Sequence, residues 1–255
     1  MEKIVRYGER GVVDALIHYL VENLESKKFL HSIRWADSSI KDWITSIESV
    51  SWILEVSLNR MSGFGDPDIM IVCEIQDEAP YFVFIEAKVD KYEKAAGLNS
   101  KGMVEGYNSK INGQLSLKYR FCEAVEEWRG KGRIIETESL FQQYKNRIGE
   151  NQKNPRRLAK PQVLELLKKY RFDELNLDRC FFVAMTWDRE PGPFVDLDKD
   201  LRPLFLSESG EELQSYIKAH LGWIGYGVIN KTFELDESFK EILSTMVETY
   251  PEPLE

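Results

Sequence analysis

The chain has 255 residues, 43% of them hydrophobic and 12% aromatic, which is enough apolar surface for a large core within one domain. Its formal net charge of -9 at pH 7 excludes a protein that coats nucleic acid over its whole surface. No run approaches the ~18 apolar residues of a membrane span, the stretch from Met1 to Arg10 lacks the apolar centre of a signal peptide, and Cys73, Cys122 and Cys180 stand isolated in apolar segments, so the expectation is a cytoplasmic protein with reduced thiols and no membrane partner.

The first element is an amphipathic helix from about Glu9 to Leu24, with Val13, Leu16, Leu20 and Leu24 along one stripe. Glu9 falls within about 40° of that stripe at 100° per residue, so it points toward whatever the helix packs on. Residues 27–45 mix aromatic and polar side chains without a clear period. Alternation then returns at Val50, Trp52, Leu54, Val56 and Leu58, a half-buried strand. Gly63 and Gly65 lead into Asp66-Pro67-Asp68, and the following run is strand-like, which excludes a dinucleotide loop.

Two apolar runs of strand length, Ile69 to Ile75 and Tyr81 to Ile85, flank the turn-forming segment Gln76-Asp77-Glu78-Ala79-Pro80 and form a hairpin. Centred on Asp77 or Glu78, that turn sets Asp68 opposite Glu86 or Lys88. Side chains alternate with period two, so Glu86 and Lys88 share a face, and an even register adds Asp68 to it. Two carboxylates opposed across a sheet, roughly 5 Å apart at Cβ, could share one hard cation. A solvated, charged hairpin end is the competing reading, although both runs are apolar throughout, as in strands buried on both faces, and carry charge only at their ends.

Pro67-Asp68 followed by Glu86-Ala87-Lys88 at the end of an apolar strand resembles the PD-(D/E)xK nuclease superfamily. The resemblance implies an α/β fold: a central mixed β-sheet flanked by helices, with a restriction-endonuclease-like core in one domain spanning residues 1–255. It implies that Asp68 and Glu86 hold Mg²⁺ or Mn²⁺, that Lys88 orients or activates the attacking water, and that Glu9 matches an acid of the first helix approaching the metal. The substrate it implies is nucleic acid, DNA ahead of RNA, in genome defence or DNA processing; cutting both strands would favour a homodimer. A nuclease-fold protein that binds nucleic acid or a protein partner without cutting is the alternative.

Residues 89–110, with Gly97, Gly102 and Gly106, read as a loop over the end of the hairpin. The next helix, about Ile111 to Trp128, sets Gln114, Leu117, Phe121, Val125 and Trp128 on one stripe. An amide there needs polar partners, which a phosphate oxygen or a bound water would supply, or nearby backbone. Gln-Leu-Ser-Leu-Lys-Tyr-Arg is similar to the helix of the exonuclease-like branch of the superfamily, which carries Gln and, four residues on, Tyr. Lys118 stands at that fourth position and Tyr119 at the fifth, so Gln114 is a catalytic candidate, and Lys118 and Tyr119 are candidates for contact with nucleic acid.

From Arg129 to Arg171 twelve Lys or Arg face four Glu, a net of +8 that leaves -17 on the rest of the chain. Arg156, Arg157 and Lys160 in this basic insertion are candidates to track a phosphate backbone; a solvated helical insertion is the competing reading. Cys180 to Trp187 reads as a buried strand, Arg189 to Pro203 as a loop, Glu208 to Leu221 as a helix stopped by Gly222, Ile224 to Phe233 as a further strand, and Asp236 to Met246 as a last helix. Asp196, Asp198 and Asp200 lack the glycine and distal Glu of a calcium loop, and His18, His31 and His220 are too scattered for a metal cluster.

Overall fold

The computed structural model describes residues 9–54, 66–88, 171–186 and 220–233, together with Ile111, Gln114, Leu115, Lys118, Tyr119, Phe121, Cys122, Val125 and Glu126; the side chains of Glu9, Arg10, Ser38 and Lys41 are not among what it describes. Its framework is a six-stranded mixed sheet flanked by helices. In chain order the elements are helices α1 (Glu9–Glu22) and α2 (Ser26–Ser32), strand β1 (Arg34–Trp35), helix α3 (Lys41–Thr45), and strands β2 (Ser49–Leu54), β3 (Ile69–Glu74) and β4 (Tyr81–Ala87). The helical residues between 111 and 126 follow, here called α4, then β5 (Cys180–Thr186), β6 (Leu221–Gly225) and helix α5 (Tyr226–Thr232).

The sheet order is β1-β6-β5-β4-β3-β2. Strands β2, β3 and β4 form an antiparallel meander, β5 lies parallel to β4, β6 lies parallel to β5, and the short β1 closes the far edge antiparallel to β6. The two central strands β4 and β5 are apolar at nearly every position because helices cover both faces, the pattern expected of parallel pairing. On one face Ile69, Ile71, Val83, Ile85, Val183 and Met185 pack against α1, α2, α3 and α5 through Val12, Leu16, Leu20, Phe29, Ile44 and Ile229. The opposite face carries Met70, Val72, Phe82, Phe84 and Phe182 and receives α4. There Phe121 meets Phe84 edge-on at 6.3 Å between ring centres, and Tyr119 meets Phe182 at 6.0 Å.

Several expectations are corrected. Helix α1 buries Val13, Leu16 and Leu20 as its stripe requires, but it stops at Glu22, and Leu24 is exposed in a left-handed conformation at φ 57°. The Glu25 N–H donates to Leu20 O at 2.8 Å and the Leu24 N–H to Val21 O at 3.2 Å, a Schellman-type stop with a leucine where glycine is usual. The aperiodic stretch 27–45 holds two short α-helices, a 3-10 turn at Ser38–Ile40 and β1, which are fixed by tertiary contacts: Trp43 stacks on Tyr81 at 4.4 Å, and Trp52 Nε1 donates to Ser26 Oγ at 2.9 Å. In place of the strand expected from Ile224 to Phe233, Leu221–Gly225 is a strand and Tyr226–Thr232 is helical. Tyr226, Ile229 and Phe233 recur at helical spacing and are all buried. Gly222, expected to stop a helix, instead sits in β6 beside β1, where a Cβ would lie 2.8 Å from both Ile33 Cγ2 and the Trp35 ring. Residues 89–110, 187–219 and 234–255, and Val56, Leu58, Leu117 and Trp128, lie outside the described residues.

Among the described residues no helix is long and apolar enough to cross a membrane.

Candidate functional site

The hairpin carries the site, and its turn fixes the register. Asp77 adopts φ 58°, a conformation Asp tolerates better than most residues, and the Glu78 N–H donates to Ile75 O at 3.3 Å. Cys73 therefore pairs with Tyr81 and Ile69 with Ile85, so the same register, continued one step, sets Asp68 opposite Glu86. Two arginines anchor the turn end. Arg171 bridges Glu74 on β3 and Glu174, and Arg179 donates to Ala79 O and Glu78 Oε2, both at 2.6 Å, while its guanidinium lies 4.7 Å from the Tyr81 ring centre.

At the open end the ladder is continued by a side chain. The Ala87 N–H donates to Asp68 Oδ2 at 2.8 Å, which locks the carboxylate beside β4. Lys88 Nζ lies 3.8 Å from the same oxygen and donates to Ala87 O at 2.8 Å, while the Lys88 backbone N–H donates to Met185 O of β5 at 2.8 Å. Asp68, Glu86 and Lys88 are thus gathered at one end of the hairpin. Lys88 and Asp68 keep some access to solvent, with side chains 16% and 23% exposed.

Glu86 is wholly buried on the α4 face of the sheet, where the buried polar side chains among the described residues are Glu86, Lys118 and Thr186. Thr186 Oγ1 accepts from Trp223 Nε1 at 2.9 Å. Lys118 Nζ approaches Glu86 Oε1 to 2.8 Å with both side chains 0% exposed. Neither carboxylate oxygen has a well-aligned hydrogen bond: Oε1 is held by the ammonium as an ion pair, and Oε2 has no partner. Burial pushes the Glu86 carboxyl up to about 7; Lys118, and more weakly Lys88, pull it back, whereas the Asp68 charge pushes it further up. Ala184 is the β5 neighbour of Glu86 and Trp223 of β6 lies beyond it.

Of the stripe expected on α4, Phe121 and Val125 are buried and Gln114 is partly buried, while Leu117 and Trp128 lie outside the described residues. Ile111, Leu115, Lys118, Cys122 and Val125 are buried, spaced by four and three, and Lys118 sits in the middle of this apolar row. That spacing was readable in the sequence and is the signal that would have found the Lys118 pairing. Lys118 and Tyr119, the candidates for contact with nucleic acid, are both buried. Gln114, one turn before Lys118, is partly buried, with an Oε1 that is buried and lacks a hydrogen-bond partner. The Glu9 side chain and Arg156, Arg157 and Lys160 lie outside the described residues. Also unforeseen were Arg171 and Arg179, whose partners lie about a hundred residues away in sequence.

Family models, curated proteins and solved structures were compared with this chain, and none of them matches. Among the described residues no group of three or more His, Cys, Asp or Glu converges. Two carboxylates in register, one with a buried, partnerless oxygen, fit a hard cation that takes oxygen ligands and fills its remaining positions with water.

Proposed function

We propose that this protein is a Mg²⁺- or Mn²⁺-dependent phosphodiesterase acting on DNA, with a restriction-endonuclease-like core. The observation that carries the reading is the register of the hairpin: Asp68 stands opposite Glu86, and Lys88 stands over Asp68. The order of elements supports it: α1 comes first, and after the intervening α2, β1 and α3 the described chain runs through a three-stranded antiparallel meander, α4 and a strand parallel to β4.

In this reading Asp68 and Glu86 would hold the cation, which when bound supplies Lewis acidity toward a phosphoryl oxygen. The Ala87 N–H keeps Asp68 from rotating away. Lys88 holds a proton at Nζ beside the carboxylates and can donate a hydrogen bond to a water or to a phosphate oxygen, lowering the cost of charge that develops during attack. Hydrolysis joins a water oxygen to phosphorus and breaks the bond to the leaving oxygen, so no covalent enzyme intermediate is required.

The test is incubation with plasmid, linear duplex and single-stranded DNA in Mg²⁺, Mn²⁺ or chelator. Cleavage in metal alone, abolished by Asp68→Ala and by Glu86→Ala without loss of fold, is the expected result. Equal activity in the variants and the wild type would remove the reading. Lys88→Met is expected to lose rate with no loss of cation affinity, since it removes a positive charge and no oxygen ligand.

A further inference from the structure

We propose that Lys118 is the positioning residue of this site: it holds one oxygen of Glu86 and leaves the other as a single, oriented ligand for the cation. The inference rests on the metal-site reading above and extends it to a residue on α4. Both side chains are fully buried and neither Glu86 oxygen has a hydrogen-bond partner, but Lys118 Nζ lies 2.8 Å from Oε1, so the ammonium holds that oxygen by charge.

A buried ion pair is a poor device for stability alone. Taking two charges out of water offsets most of their attraction, and an apolar pair of similar volume serves a core as well or better. The pair is intelligible if position 86 must carry a carboxylate for another reason, and if that carboxylate must be kept from turning. Lys118 suits the task because it is centred in the apolar row Ile111, Leu115, Cys122 and Val125, which docks α4 on the sheet and fixes the origin of its side chain. An ammonium is a point charge that can hold one oxygen, whereas a guanidinium forks onto both.

Single-oxygen coordination has a consequence for metal choice. Mg²⁺ takes six ligands in near-ideal octahedral geometry and accepts one oxygen from each carboxylate, whereas Ca²⁺ takes six to eight and gains from carboxylates that offer both oxygens. By pinning Oε1, Lys118 disfavours the larger ion. Removing it frees Glu86 to turn and offer both oxygens. The lost positive charge raises affinity for every divalent cation alike, so the ratio of affinities isolates the positioning effect.

The experiment uses the full chain and reads binding, not activity: Mn²⁺ bound to the protein is followed by its electron paramagnetic resonance signal and displaced by Mg²⁺ or Ca²⁺. Binding lost in Asp68→Asn identifies the site. In Lys118→Met the Mg²⁺ to Ca²⁺ affinity ratio is expected to fall at least about tenfold, the size of effect typical of groups that orient metal ligands. Lys118→Arg keeps the charge and the pairing, so it decides the matter even where the methionine variant does not fold. By taking both oxygens it is expected to weaken Mn²⁺ binding by a similar factor, with the melting temperature little changed. An unchanged ratio in the methionine variant, or unchanged Mn²⁺ binding in the arginine variant, overturns the inference alone. Absence of any Asp68-dependent cation binding in the wild type overturns the metal-site reading and the inference with it.

Discussion

Glu86 concentrates the energetics of the site. Its carboxyl is raised to about 7, first by burial, which means that the folded state binds a proton more readily than the unfolded chain does. Its contribution to stability is therefore fully present below the ordinary carboxylate range near 4.5 and is lost as pH rises toward 7. The metal-free protein is expected to lose about 3 kcal/mol across that window from this group, and urea titrations at several pH values should show the slope vanish in Glu86→Gln. Cation binding runs the opposite way, because a divalent ion competes with the proton, so affinity for Mn²⁺ should climb as pH rises to about 7. Lys118→Met strands a buried carboxylate and is expected to cost about 3 to 5 kcal/mol, whereas the paired Glu86→Met, Lys118→Met variant should recover most of that stability. A loss in the double variant equal to the sum of the losses in Lys118→Met and Glu86→Met alone would mean that the two side chains act independently.

Among the elements, the hairpin was legible to within one step of register and the helices only partly so. Unbroken apolar runs around a five-residue turn leave few registers open, and one of the two turn centres allowed by the residue types, Asp77, is the one observed. Helix α4 was found, and Phe121 and Val125 of its expected stripe are buried, but a lysine was not expected inside, although Lys118 lies on the row Ile111, Leu115, Cys122, Val125. The stretch 27–45 was illegible because α2, β1 and α3 are too short to show a period and are held by distant aromatic partners such as Tyr81 and Phe181. Strand β6 and α5 were merged because one apolar run can satisfy either period; the change occurs between Gly225 and Tyr226. The end of α1 offers a test at this scale. Leu24 holds a left-handed conformation that costs a non-glycine residue about 1 to 2 kcal/mol, so Leu24→Gly, after the larger chain entropy of glycine is subtracted, is expected to stabilise the fold by about 0.5 to 1 kcal/mol in thermal unfolding.

Across the whole molecule, a mixed sheet covered on both faces brings the ends of β3, β4 and β5 together, and Asp68, Glu86 and Lys88 lie where the chain leaves that sheet. Charge is distributed unevenly, with +8 between Arg129 and Arg171 against -17 elsewhere. If the basic segment tracks a phosphate backbone, neutralising Arg156, Arg157 and Lys160 together should weaken DNA binding for all sequences and flatten its salt dependence by up to about three phosphate contacts. An unchanged slope of affinity against salt would assign the segment to solvent. The central claim, that Asp68 and Glu86 share a cation, is tested most directly by the anomalous scattering of Mn²⁺ in crystals of the full chain. The account predicts one peak within bonding distance of both carboxylates that disappears in Asp68→Ala; crystals soaked in Mn²⁺ with no peak between them would contradict it.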